Sequence, residues 1–148
     1  MLMKKIFLLI GVFCFFWTST IAQTSGGAIS DTDQNLLIKK CLAFKPLSDL
    51  ISKENLEGIS EYRILNHGVD FNTSSRLEVN GKRVYFLTKG EISSVKAYFL
   101  FHTISIDKNK AFVRYYFIYK INGVEKTIPV TIDFEKNKTG WQVGNHSI

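Results

Sequence analysis

The spacing of apolar residues changes character twice along this chain. Leu37, Cys41 and Phe44 recur at i, i+4 and i+7, and Leu36, Ile38 and Leu42 widen the stripe, which predicts a helix opening near Asp31. Asp31 and Asp33 put negative charge at its N-terminal end, and Lys39, Lys40 and Lys45 gather toward its C-terminal end, as the helix dipole favours. Pro46 either stops this helix or opens a short second one through Leu47, Leu50 and Ile51. After Gly58 the period becomes two. Ile59 to Leu65 reads as a strand, Asn66-His67-Gly68 as a turn and Asp70 to Ser75 as a loop. Arg76 to Leu87 reads as a hairpin about Asn80-Gly81, two residues that accept the positive φ of a type I′ turn. Thr88-Lys89-Gly90-Glu91 has the form of a capping box and predicts a short helix over Ile92 to Lys96.

The C-terminal third alternates throughout. Ala97 to Ile106, Ala111 to Ile121, Val124 to Phe134 and Trp141 to Ser147 are predicted strands, separated by Asp107-Lys108-Asn109-Lys110, by Asn122-Gly123 and by Glu135 to Gly140. In the third of these, Val124, Ile128, Val130, Ile132 and Phe134 share one face while Glu125, Thr127, Thr131 and Asp133 share the other, so one side is dry and one wetter. Pro129 lacks a ladder N–H and points to an edge or bulge there. The two preceding strands are apolar on both faces, which implies a sheet covered on both sides or carrying an apolar pocket. The expected fold class is α+β: an N-terminal helix packed on a curved antiparallel sheet made of a C-terminal four-stranded meander plus a hairpin.

A different kind of apolar segment stands before all of this. Lys4 and Lys5 precede an apolar run over residues 6–17, followed by the small-residue pattern Thr20-Ile21-Ala22. This is the architecture of a secretory signal peptide. The run is shorter than the roughly 20 residues that span a bilayer, so no stable membrane anchor is expected after cleavage. The expected organisation is a signal peptide over 1–22 cleaved after Ala22, a flexible leader over 23–30 and a single α+β domain over 31–148, secreted or periplasmic.

Cleavage changes what composition means. The chain has 19 Lys and Arg against 13 Asp and Glu, a formal charge of +6, and the signal removes Lys4 and Lys5. The remaining excess is mild and forms neither block nor stripe, so no nucleic-acid partner is expected. Cys14 also leaves, and Cys41 alone cannot form an internal disulfide. Its apolar setting predicts an inert, buried thiol. Phe7, Phe13, Phe15, Phe16 and Trp17 go with the signal, and most remaining aromatics are expected in the core.

Candidate chemistry is sparse. His67, His102 and His146 lie far apart with no ligand spacing around them, so no metal or other cofactor is expected. There is no G-x-S-x-G elbow and no phosphate-binding glycine pattern. Asn72, Asn137 and Asn145 begin N-x-S/T triplets, which matter only in a glycosylating cell. His102 interrupts an apolar strand, and Asp133 lies two strands on, on the wetter face. If they converge they can exchange protons, and they are the catalytic candidates. Tyr98, Arg114, Tyr115 and Tyr119 are the ligand-binding candidates.

The order of helix, strands and a meander ending in Gly140-Trp141-Gln142-Val143 resembles small secreted cystatin-like and NTF2-like α+β domains of Bacteroidota, over residues 31 to 147 in outline. Enzymatic members of the NTF2-like group use an Asp/His pair, which does not map here residue by residue. The leading expectation is a non-enzymatic binding domain for a small molecule, a peptide or another envelope protein, with a homodimer through the sheet compatible with it. A small NTF2-like enzyme using His102 and Asp133 is the second reading. An inhibitor or immunity-type protein acting through loops such as His67 to Ser75 is the third.

Overall fold

The structure is a computed structural model, and it describes residues 31–53, 61–73 and 76–148. The predicted signal and leader therefore lie outside the described residues, as do Ile59, Ser60 and Ser75. The chain order is α1 (Asp31–Leu42), α2 (Lys45–Lys53), β1 (Tyr62–Leu65), β2 (Glu78–Val79), β3 (Lys82–Leu87), a 3-10 turn (Ile92–Ser94), β4 (Ala97–Asp107), β5 (Lys110–Ile121), β6 (Val124–Asn137) and β7 (Gly140–Ser147). The architecture is α+β. The strands form one curled seven-stranded sheet in the order β2-β3-β1-β4-β5-β6-β7, with α1 in its concave side.

The sheet is mixed, which corrects the all-antiparallel expectation. β1 lies between β3 and β4 and is parallel to both. The physical reason is in β1 itself. Ile64 and Leu65 are adjacent, hence on opposite faces, and both are buried. Ile64 joins the main core and Leu65 joins a second cluster on the outer face. A strand dry on both sides belongs in the middle of a covered sheet, as parallel strands do.

Elsewhere the local signals hold. Asn80 and Gly81 have φ of 51° and 73°, Asn122 and Gly123 have 52° and 78°, and both two-residue turns are thus of the primed kind that matches strand twist. The Thr88 box closes in part: the Thr88 backbone N–H and hydroxyl both donate to Glu91 Oε2 at 2.7 Å, which holds the Glu91 carboxyl below its usual range. The helix after it is a single 3-10 turn, shorter than predicted, because Val95 is already extended. Among the described residues, Pro129 sits where β6 has no outer neighbour, since β7 pairs with β6 only from Thr131 onward.

Two bulges interrupt the meander. Phe101 pairs with Tyr115 and Thr103 with Arg114, so His102 is an extra residue in β4. Ile132 pairs with His146 and Phe134 with Val143, so Gly144 and Asn145 of β7 together oppose Asp133.

The core is aromatic and lies on the inner face. Phe99, Phe101, Tyr115 and Phe117 interlock with ring centroids 5.0–6.2 Å apart, and α1 sets Leu37, Ile38 and Cys41 against the sheet. Each fully buried aromatic of this kind contributes roughly 2–3 kcal/mol of transfer free energy. Polar ties close the layer. Tyr115 donates its hydroxyl hydrogen to the Cys41 carbonyl at 3.0 Å, and the Trp141 indole N–H donates to Asp33 Oδ1 at 2.9 Å. On the outer face, Ile92 and Val95 of the β3–β4 connection cover Leu65, Leu87, Tyr98 and Ile118. This explains why β4 and β5 are apolar on both sides.

Candidate binding groove

Among the described residues the outer face is covered at one end only, and its cross-strand rows show what the other end presents. Alternation in β5 sends Lys110, Phe112, Arg114, Tyr116 and Ile118 outward while Val113, Tyr115 and Phe117 face the core. Register then builds the rows. Asp107, Lys110, Glu135 and Gln142 stand side by side across β4 to β7. Next come Ser105, Phe112 and Asp133, with the Gly144–Asn145 bulge beside them. Thr103, Arg114, Thr131 and Ser147 form the third row, in which Thr131 and Ser147 join hydroxyls at 2.6 Å. Beyond it the face turns apolar, through Leu100 and Tyr116 to the covered Tyr98 and Ile118.

The first two rows line a groove of about 570 Å³, and a smaller one of about 220 Å³ adjoins it over Asp133, Asn145 and His146. The β7 bulge shapes it. Opposite Asp133, a Cβ on Gly144 would stand 3.3 Å from the Asp133 carbonyl oxygen, closer than side-chain carbons normally sit, so the glycine lets the two strands meet there. Three carboxylates, Asp107, Asp133 and Glu135, face one ammonium, Lys110, in a chain whose formal charge is +6. Among the described residues none of these four side chains has a hydrogen-bonding or ion-pair partner. Phe112 supplies an apolar wall, and the Arg114 guanidinium lies over its ring at 5.7 Å. Such a groove attracts positive charge and offers one aromatic surface for packing.

His102 and Asp133 share the outer face but do not meet. His102 is exposed at the β4 bulge, its Nδ1 lies 2.8 Å from Thr103 Oγ1, and its ring meets Tyr116 edge-on. Asp133 is two strands away and level with Ser105, an offset of about 10 Å across and about 10 Å along the sheet. That is far beyond the roughly 3 Å that proton transfer requires. Of the ligand-binding candidates, Arg114 borders the groove. Tyr98 lies under the β3–β4 connection, where burial and then Glu125 push its hydroxyl pKa up. Tyr115 is wholly buried, and desolvation followed by the nearby Cys41 raises its hydroxyl far above the ordinary value. Tyr119 stacks on Phe117 inside the core at 5.5 Å. The loop after His67 is anchored inward: Phe71 packs on Phe86 and Phe101, and Gln34 donates to the Asp70 carbonyl at 3.0 Å.

No family model, no curated protein and no solved structure matches this chain. The groove therefore stands on its own geometry. Among the described residues no group of three or more His, Cys, Asp or Glu is arranged to hold a metal ion. None of the described helices is long and apolar enough to cross a membrane.

Sequence reasoning passed over Asp107, Lys110 and Glu135 as turn residues. The signal that finds them is the Asn122-Gly123 turn. A two-residue hairpin pairs Ile121 with Val124, and counting outward brings Phe112 to Asp133 and Lys110 to Glu135.

Proposed function

We propose that this protein is a small extracytoplasmic binding domain whose groove over Asp107, Asp133 and Glu135 takes a ligand bearing positive charge. The observation that carries the reading is the sign of the groove: three carboxylates, without a partner among the described residues, against Lys110 and the bordering Arg114, on a chain with an excess of basic residues. Field lines of a local negative patch on a positive molecule favour cationic groups there over elsewhere on the surface. Phe112 gives such a ligand's carbon skeleton something to cover. A binding role needs no acid–base pair, and the separation of His102 from Asp133 is consistent with one. Export is supported by Lys4, Lys5 and the apolar run over residues 6–17. A helix in the concave side of a curled sheet, ending in Gly140-Trp141-Gln142-Val143, supports a cystatin-like or NTF2-like assignment.

Spermidine is a suitable probe. Titrating it while recording amide chemical shifts is expected to move the resonances of Asp107 to Phe112, Asp133 to Glu135 and Asn145, with affinity falling as salt rises. Asp133→Asn combined with Glu135→Gln is expected to abolish the shifts. Shifts spread evenly over the surface, or unchanged in the double variant, would sink the reading. Intact mass of the exported protein tests the compartment, with Gln23 as the expected first residue.

A further inference from the structure

Among the described residues the sheet has two outer strands and one partly uncovered strand, and they are defended unequally. β2 is only Glu78–Val79, with Arg76 and Glu78 ion-paired on it at 3.0 Å. The uncovered half of β6 carries Glu125, Lys126 and Pro129. Short length, charge and proline are the usual means of keeping an edge from pairing. β7 differs: Gly140–Ser147 has no charged residue and no proline, and among the described residues no strand pairs with its outer side. Its one interruption is the bulge at Gly144–Asn145.

The flank beside β7 is apolar as well. α1 runs along this strand, since Asp33 meets Trp141 near one end and Phe44, just past α1, meets His146 near the other, with ring centroids 5.1 Å apart. Among the described residues five large hydrophobics are exposed, and three of them, Leu36 at 41%, Val143 at 42% and Ile148 at 44%, belong to α1, β7 and the residue after it.

We propose that β7 is a dimerisation edge at which two copies of this chain pair antiparallel about a two-fold axis at Gly144–Asn145. Three features fit this occupant. An axis there sets Val143 of each copy beside His146 of the other, Gln142 beside Ser147 and Trp141 beside Ile148. Trp141, Val143 and His146 all lie on the α1 side of the sheet, because they pair with or flank inward-facing β6 residues. The pleats of the two copies therefore match, and each bulge meets the other at the axis. No charge meets a like charge across the new pair. The same axis makes the two α1 helices antiparallel on one face, which brings the acidic Asp33 end of each toward the Lys39–Lys40 end of the other. The exposed Leu36, Val143 and Ile148 gather at this junction.

The test uses the protein produced from its full-length gene. Sedimentation equilibrium is expected to show a dimer that dissociates on dilution, and Val143→Lys is expected to be monomeric with an unchanged far-ultraviolet spectrum. Should that variant fold poorly, a cysteine at the axis keeps the question answerable: Asn145→Cys is expected to form an intermolecular disulfide in air. Cys41 is buried and does not compete, and Val124→Cys, at the uncovered end of β6, is expected to remain reduced. A wild-type protein that stays monomeric at every concentration overturns the proposal. So does a dimer that survives Val143→Lys, or equal cross-linking through Val124→Cys. Binding of an unrelated extended peptide by a monomeric chain would assign the edge to strand capture instead and equally overturn it.

Discussion

Asp33 in the first helix and Trp141 in the last strand are joined by an indole N–H···carboxylate hydrogen bond of 2.9 Å, and Lys136 donates to the same carboxylate at 2.8 and 3.0 Å. One acidic side chain thus fastens α1 to both β6 and β7. The Lys136 hydrogen bond first, and that from Trp141 second, hold the Asp33 pKa below its ordinary value of 3.8.

That shift fixes a pH dependence. A carboxyl with a depressed folded-state pKa binds more protons when unfolded, so its contribution is complete above the unfolded value and is lost as pH falls through the folded one. Urea midpoints measured against pH should therefore drop below about pH 4. Asp33→Asn should cost about 2 kcal/mol near neutrality, in line with hydrogen bonds to charged groups, and should flatten the acid limb. An acid limb equally steep in the variant would assign it to other carboxylates.

Cys41 should be silent to thiol reagents in the native state. It is wholly buried among apolar side chains, and desolvation raises its pKa far above the ordinary thiol range, so almost no thiolate exists at neutral pH. Labelling with a disulfide reagent is expected to be slow in buffer and rapid in denaturant, at a native rate that follows stability. Fast labelling of folded protein would contradict the packing of α1 on the sheet.

Two glycines should answer differently to alanine. Gly81 has φ +73°, and a Cβ there would meet nothing within 4 Å, so Gly81→Ala meets backbone strain alone and should cost about 1 kcal/mol. Gly90 has no positive φ, and the nearest atom to a Cβ there is Thr88 Oγ1 at 4.0 Å, so Gly90→Ala should be neutral or slightly stabilising. Thermal melts of the two variants give the comparison directly.

Legibility in the sequence followed the range of the interaction. The β5–β6 turn of the meander and the β2–β3 hairpin were readable because Asn122-Gly123 and Asn80-Gly81 specify their own geometry within two residues. Leu37 and Cys41 announced the buried stripe of α1 for the same reason, with Phe44 buried just past its end, whereas Leu36, read into the same stripe, is exposed. The place of β1 was not readable, since Ile64-Leu65 says only that both faces are dry and leaves the neighbours to packing across the whole domain. His102 was legible as a polar interruption in an apolar strand, but the bulge that makes it an extra residue there was not. The groove needed register: Asp107, Lys110, Asp133 and Glu135 become neighbours only when three strands are laid side by side.

The position of β1 also divides the molecule mechanically. Among the described residues the β2–β3 hairpin is joined to the meander's hydrogen-bond ladder only through this one strand of 4 residues, whereas β5 and β6 share a ladder running from Lys110·Glu135 to Ile121·Val124. Losing β1 would break the ladder between hairpin and meander and leave Leu77, Val79, Val84 and Leu87 to hold the hairpin by packing alone. The domain thus carries a seam along which it can open in part, and amide hydrogens of Val84 and Phe86 should exchange sooner than those of Tyr115 and Phe117.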